Sequence, residues 1–190
     1  MKIFSSSIFA TIALILLLWS PSSADEGQEP NIADILITTS QSDLLLFCSI
    51  KNSFTSQMIE GIHNGIPVTF TFLVELEQMK NKWFDKTMTE MTIQHTLVYD
   101  SLKEKYEVHR SEKTQNPFVT DSRDKAMEIM AELNGINIIP RDELEPDAPY
   151  AIHVKAKLTK KTLPLYMHYI IPFISLWDFE TDWRTIEFRY

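Results

Sequence analysis

Cysteine is almost absent from this chain: Cys48 stands alone among 190 residues. No intrachain disulfide can form, so in an oxidising compartment the thiol must lie buried and inert, pair between chains, or react. Glycine is nearly as scarce, with four residues, which limits the close backbone approaches on which many ligand cradles depend. No glycine-rich phosphate loop, GxSxG elbow or HExxH helix occurs. The histidines (His63, His95, His109, His153 and His168) form no i, i+4 pair and flank no thiolate pair, so metal-ligand spacing is missing and no cofactor is implied. Positive charge is also short, with 18 Lys and Arg against 26 Asp and Glu and a formal net charge of −8. That balance argues against nucleic acid or anionic lipid as the main partner, because neither would be attracted. There is no internal repeat and no low-complexity tract.

The opening residues read as an export signal. Lys2 is a minimal positive start, Ile8 to Trp19 is an apolar core, and Ser22-Ser23-Ala24 is a small-residue cleavage site preceded by the helix-breaking Pro21. The apolar run falls short of the roughly 20 residues that span a bilayer, so a cleaved signal peptide over 1–24 is favoured over an uncleaved membrane anchor. With no cysteine at the site, a lipoprotein anchor is disfavoured. Cleavage leaves 166 of the 190 residues and moves the charge from −8 to −9, since Lys2 is the only charge lost. That length suits one domain with a substantial core. Residues 25–31, DEGQEPN, form a polar, frayed N-terminal segment, and residues 32–190 form the domain.

The stretch from Gly65 to Asp100 organises the rest. Ile66, Val68, Phe70, Phe72, Val74 and Leu76 alternate with Thr69, Thr71, Glu75 and Glu77. Side chains of a strand point to opposite faces at every second residue, so this is a long strand with one face buried and one wet. After a polar link, Lys80 to Lys86, a second run places Met91, Ile93, Leu97 and Tyr99 on one face. Two long strands joined this way pair antiparallel, and Tyr106 to Ser111 returns as a third, giving a meander.

Upstream, Ile32–Thr38 and Leu44–Ser49 read as strands around a Ser40–Asp43 turn. A short helix over Thr55–Asn64 follows, ended by the left-handed Gly65. Downstream, Glu112–Thr120 reads as a polar loop. A second helix, capped by Thr120 or Asp121, sets Ala126, Ile129, Met130 and Leu133 on one side and closes at Asn134-Gly135. Ile136–Ile139 is a short strand or an apolar plug. Tyr150–Thr159 alternates, with Tyr150, Ile152, Val154, Ala156 and Leu158 inside and His153, Lys155 and Lys157 outside; Thr181–Tyr190 ends the chain as a strand. The fold expected is a single antiparallel β-rich domain, mainly β or α+β, with about seven or eight strands as a curved sheet or sandwich and two short helices.

Few residues point to chemistry. Cys48 shares a face with Leu44, Leu46 and Ile50, and burial there raises the thiol's pKa and blocks access. His95 falls on the apolar face with Ile93 and Leu97, where a lone histidine is more often a hydrogen-bonded core residue than a catalyst. Glu75 and Glu77, with Glu90 near on the next strand, offer paired carboxylates of the kind glycosidases use, but on the wet face of a sheet such groups are usually only solvated. No catalytic or metal-binding residue is assigned. The aromatic density is the stronger signal. Trp83 and Phe84 sit in the hairpin link, where large aromatics can anchor a partner or fold back over a sheet end. Leu163–Trp177 is nearly all apolar yet carries Pro164 and Pro172, and a one-sided strand can bury only alternate residues. Tyr166, Tyr169, Phe173, Ile174 and Trp177 therefore join Trp83 and Phe84 as a candidate interaction surface, for a protein partner or the membrane interface.

Asn64-Gly65, Ile66-Pro67-Val68-Thr69-Phe70, Trp83-Phe84-Asp85-Lys86, Leu97-Val98-Tyr99-Asp100 and the ending Trp177-Asp178-Phe179-Glu180-Thr181-Asp182-Trp183 together resemble a bacterial family catalogued as domain of unknown function 4390. The resemblance covers most of the chain after the leader. It implies an exported bacterial protein with no assigned reaction and no catalytic residues to carry over. Some relatives are encoded beside two-component sensor kinases, which links the family to envelope signalling by association. The reading is a non-catalytic periplasmic or otherwise exported envelope protein that binds another, unknown envelope protein. The alternatives are a carrier enclosing a lipid-like ligand and, third, an enzyme.

The leader generates a direct test. N-terminal sequencing of the envelope-localised protein should return Asp25 as the first residue; Met1 or Lys2 on a membrane-bound form would make the leader an anchor.

Overall fold

The computed structural model describes residues 29–80, 85–113, 116–159 and 178–190. Among these residues, nine strands are arranged in two antiparallel sheets, with two short helices, so the expected class holds with more strands than the alternation had suggested. β1 (Asn31–Thr39), β2 (Asp43–Lys51) and β7 (Glu132–Pro140) make a three-stranded sheet in the order β1-β2-β7. β3 (Val68–Gln78), β4 (Lys86–Asp100), β5 (Lys105–Arg110), β6 (Phe118–Thr120), β8 (Pro149–Leu158) and β9 (Arg184–Arg189) make a six-stranded sheet in the order β6-β5-β4-β3-β8-β9. This larger sheet curls into a half-barrel. α1 (Ser56–His63) connects the first hairpin to β3, and α2 (Arg123–Ala131) connects β6 to β7.

The central hairpin has the expected register, with Phe72 opposite Ile93 and Val74 opposite Met91. β3 is a central strand of this sheet, bonded to β4 on one side and to β8 on the other. Phe70, Phe72, Val74 and Leu76 have no exposed surface, and Tyr150, Ile152, Val154 and Ala156 of β8 continue the same core layer. The opposite face departs from the expectation of a wet surface. Thr69 and Thr71 are as buried as their apolar neighbours. Their hydroxyls are satisfied in pairs, Thr69 with Thr96 at 2.9 Å and Thr71 with Thr159. Threonine presents a methyl with its hydroxyl, so both faces of β3 can be covered here, provided each hydroxyl finds a partner. Beyond Thr71 the alternation returns, with Leu73, Glu75 and Glu77 half-buried.

α1 begins on Thr55, whose hydroxyl accepts from the Met58 N–H at 3.2 Å, and Met58 and Ile62 face the core. Gly65 follows with φ +80°, the left-handed conformation expected of it. α2 differs from its sequence reading. Ser122 caps it, and the helix stops at Ala131; the chain then enters β7 without a turn. Leu133 is buried from a strand rather than a helix, and Gly135 (φ +69°) sits among the register shifts of β7 instead of ending a helix. A helical spacing of apolar residues ran on into a strand that also buries one side, so the period alone could not mark the boundary. The three-residue β6 also replaces part of the expected polar loop.

The two sheets are tied at one end by Arg141 and Tyr190. Arg141 donates from Nε to the Tyr190 hydroxyl at 2.8 Å and from Nη1 to the Ser40 carbonyl at 3.2 Å, while its guanidinium lies 5.7 Å from the Tyr190 ring. The turn after β1, the end of β7 and the residue after β9 thus meet on one cation.

Truncating Phe72 to Ala should cost about 3–5 kcal/mol in urea unfolding. Thr71→Ala, which strands the Thr159 hydroxyl, should cost about 1–2 kcal/mol, against less than about 0.5 kcal/mol for Glu75→Ala on the same face. Equal small losses at Thr71 and Glu75 would mean that this face is solvated along its whole length.

Candidate functional site

A cleft of about 1060 Å³ lies between the start of β1 and the chain entering β9. One wall is Glu29 to Ile35; the other is built from Asp178, Phe179, Glu180, Asp182, Trp183, Arg184 and Ile186. Local backbone bonding fixes the second wall. Phe179 O accepts from Leu158 N at 2.9 Å, Thr181 N donates to Ala156 O at 2.8 Å, and the buried Thr181 hydroxyl accepts from Ala156 N at 3.0 Å. Phe179 also sets its ring edge-on to Phe70, 5.0 Å between centroids. The segment before β9 is thereby pinned to β8 and the core, which leaves Glu180, Asp182 and Trp183 directed outward.

Trp183 is 42% exposed, and Lys155 Nζ lies 5.7 Å from its ring centroid. The same ammonium holds Glu180 at 2.6 Å. Five carboxylates line the cleft against one guanidinium, that of Arg184. Asp34 and Glu180 each have a lysine partner. Asp34, at φ +54° in the β1 bulge, bonds Lys51 at 2.6 Å and Ser49 at 2.8 Å, and the Lys51 hydrogen bond draws its carboxyl below the usual range. The hydrogen bond from Lys155 does the same for Glu180. The result is a polar, acidic trough with one large aromatic at its wall.

The residues singled out for chemistry are placed separately. Cys48 is buried, and burial pushes its thiol up to about 12, which keeps it protonated and inert. Glu75 and Glu90 are direct cross-strand partners, as their spacing suggested, and His153 lies opposite Glu75 on the other side. His153 Nδ1 pairs with Thr185 at 2.8 Å; its Nε2 lies 3.4 Å from Glu77 without forming a hydrogen bond. His63 bonds the Tyr106 hydroxyl at the rim of α1. Among the described residues no group of three or more His, Cys, Asp or Glu is placed to hold a metal ion.

His95 is fully buried and spans two elements. Its Nδ1 donates to the Met130 carbonyl at 3.1 Å, in the last turn of α2, and its Nε2 faces the Glu112 carboxylate at 3.2 and 3.3 Å. Burial works to raise the Glu112 carboxyl. Hydrogen bonds from His95 and from the backbone, with the charges of His95 and Arg110, outweigh it, so this group titrates below its ordinary value. The arrangement fastens α2 and the segment after β5 to the middle of β4, a structural role for the core histidine.

Trp83, Phe84, Tyr166, Tyr169, Phe173, Ile174 and Trp177, the surface expected from aromatic density, lie outside the described residues, as does the stretch over which a leader and its cleavage site are expected. The cleft was not foreseen. The acidic alternation Asp178, Glu180, Asp182 and the following Trp183 was visible in the sequence, but the opposing wall depends on how β1 lies against β8 and β9, which no local pattern reports.

The family model described as Domain of unknown function (DUF4390) matches residues 27–187, and the chain belongs to that family. No curated protein matches the chain, and no solved structure does.

The Glu112–His95 contact predicts an acid-limb effect. A carboxyl held below its unfolded value of about 4.5 contributes stability that is fully present above that pH and is lost as pH falls through the folded value. Glu112→Gln should therefore destabilise by about 1–2 kcal/mol at pH 7, and its deficit against the unsubstituted protein should close on acidification below that value. A deficit independent of pH in denaturant titrations would show that the carboxylate charge plays no part.

Proposed function

We propose that this member of the family acts after export, in the bacterial envelope, as a non-catalytic module that binds another protein, using the cleft between β1 and the chain entering β9. The observation that carries the reading is this trough, acidic and walled by the exposed Trp183, at the seam between two sheets. Tryptophan is enriched among the few residues that carry most of the binding energy at protein interfaces. The family's association with sensor kinases names one class of candidate partner.

A lipid carrier would call for an apolar chamber between the sheets and helices. Phe70 and Phe72 instead meet neighbouring rings, Phe54 at 5.1 Å and His95 at 5.2 Å respectively. The apolar groove between α1 and α2, lined by Ile59, Ile62, Leu97, Tyr106 and Met127, is too narrow for a water molecule. These features favour the interaction module over the carrier.

A photoreactive phenylalanine analogue placed at Trp183 in cells should trap a discrete protein adduct. The same analogue at Leu102, 95% exposed in the turn after β4, serves as the control and should not trap it. The same adducts from both positions, or none from position 183, would overturn the proposal.

A further inference from the structure

The two sheets leave four edges among the described residues: β1 and β7, and β6 and β9. An open edge is a template for another strand, and proteins blunt edges with bulges, proline or very short strands. Three of these four are blunted. β1 carries a register shift around Asp34 (φ +54°). β7 has two register shifts, the first of them next to Gly135, and ends at Pro140. β6 is three residues long. β9 is the exception in its backbone: Arg184 to Arg189 pairs with β8 in unbroken register with no proline, no lysine and no bulge, and its charges are of mixed sign, Glu187 lying between Arg184 and Arg189.

The direction of its free backbone groups is fixed. Tyr190 N donates to Ala148 O at 3.4 Å and Tyr190 O accepts from Asp147 N at 2.6 Å, so Tyr190 points its groups toward β8. Arg189 lies opposite Pro149, which has no N–H to exchange. By the alternation of an antiparallel ladder, Thr185, Glu187 and Arg189 turn their N–H and C=O outward. Their side chains are exposed, whereas Ile186, Phe188 and Tyr190 are half-buried on the core side.

We infer that β9 is a self-complementary edge and that its partner is a second copy of this chain, joined antiparallel about a two-fold axis through Phe188. A two-fold pairing of like faces allows only registers in which odd residues oppose odd ones. Centring on Glu187 would set two carboxylates against each other. Centring on Ile186 would pair Thr185 with Glu187 and Arg184 with Phe188, matching neither charge nor apolar surface. Centring on Phe188 pairs Glu187 with Arg189 of the second copy, twice by symmetry, on the exposed face. On the core face it pairs Phe188 with its own copy and Ile186 with Tyr190. The Glu187–Arg189 positions are those whose backbone groups point outward, so each is a hydrogen-bonded pair in the same register. Arg189 gives Nη1 to the Asp147 carbonyl at 2.8 Å, with the exposed Asp147 carboxylate 3.8 Å from the same nitrogen; Nε and Nη2 are left for the incoming carboxylate. The cleft takes only Arg184 and Ile186 from β9, so the inference is independent of the function proposed for it.

Sedimentation equilibrium of the mature chain should show a concentration-dependent dimer. Glu187→Lys should weaken it by about tenfold or more, since both symmetric pairs become repulsive. The charge-swapped Glu187→Arg/Arg189→Glu chain should restore it. To fix the register, chains carrying Glu187→Cys and Arg189→Cys are mixed under mild oxidation. Disulfide-linked heterodimers should dominate over either homodimer, because hydrogen-bonded pairs sit about 5.5 Å apart at Cα, within disulfide range, while Cys48 is buried and silent. A monomer at all concentrations, a dimer indifferent to Glu187→Lys, or no recovery in the swapped chain would each overturn the inference.

Discussion

The apolar row on β3, Phe70, Phe72, Val74 and Leu76, is the constraint on which the other elements depend. None of these side chains keeps any exposed surface, and β3 is bonded along both edges. A slip of one residue would exchange the whole row for Thr71, Leu73, Glu75 and Glu77, so the register is set by a burial difference summed over four positions. Other parts take their places from this row. Phe54, leading into α1, tilts against Phe70 at 5.1 Å; Phe179 meets the same ring edge-on; His95 lies against Phe72 at 5.2 Å. The helix end at Met130 is then tied to His95, so α2 is positioned from the same layer.

Closing a core of this kind with two sheets creates a second problem, since each sheet has two ends where backbone groups go unpaired. The Arg141 and Tyr190 contacts join the sheets at one end through side chains rather than ladder bonds. At the other end the start of β1 stands apart from the chain entering β9, and the cleft is the space left over. A carboxylate-lined opening stays hydrated and resists collapse, because burying those charges together would cost more than the apolar surface there could return. The acidity of the trough and its persistence thus have one cause.

Alternation made the hairpin legible in advance. Val68 to Leu76 and Met91 to Tyr99 follow the period of two closely enough that strand, partner and buried face could all be assigned. Cys48 and His95 were placed correctly by parity for the same reason. The readings failed where a residue type suits both outcomes. Thr69 and Thr71 look wet by polarity but pair their hydroxyls in a covered layer. Leu133 fits the helical spacing begun by Ala126, yet belongs to a strand whose buried side continues that of α2. The cleft was illegible for a different reason: its walls are about 150 residues apart in the chain, and nothing in either wall specifies the other.

The polar groups inside this molecule are largely consumed by structural bonds. Both nitrogens of His95, the hydroxyls of Thr69, Thr71 and Thr181, and the Glu112 carboxylate each have partners that hold one element to another. Cys48 is kept protonated by burial. Such groups are costly to redirect toward a ligand, since moving one strands its partner in a dry environment. Among the described residues, the surfaces that these bonds leave unused include the trough with Trp183 and the outward backbone of Thr185, Glu187 and Arg189. They adjoin along one strand but use opposite resources, side chains in the first and ladder hydrogen bonds in the second. With the edge paired as inferred and the trough binding a protein as proposed, two linked troughs would hold a two-fold symmetric partner with the avidity of both.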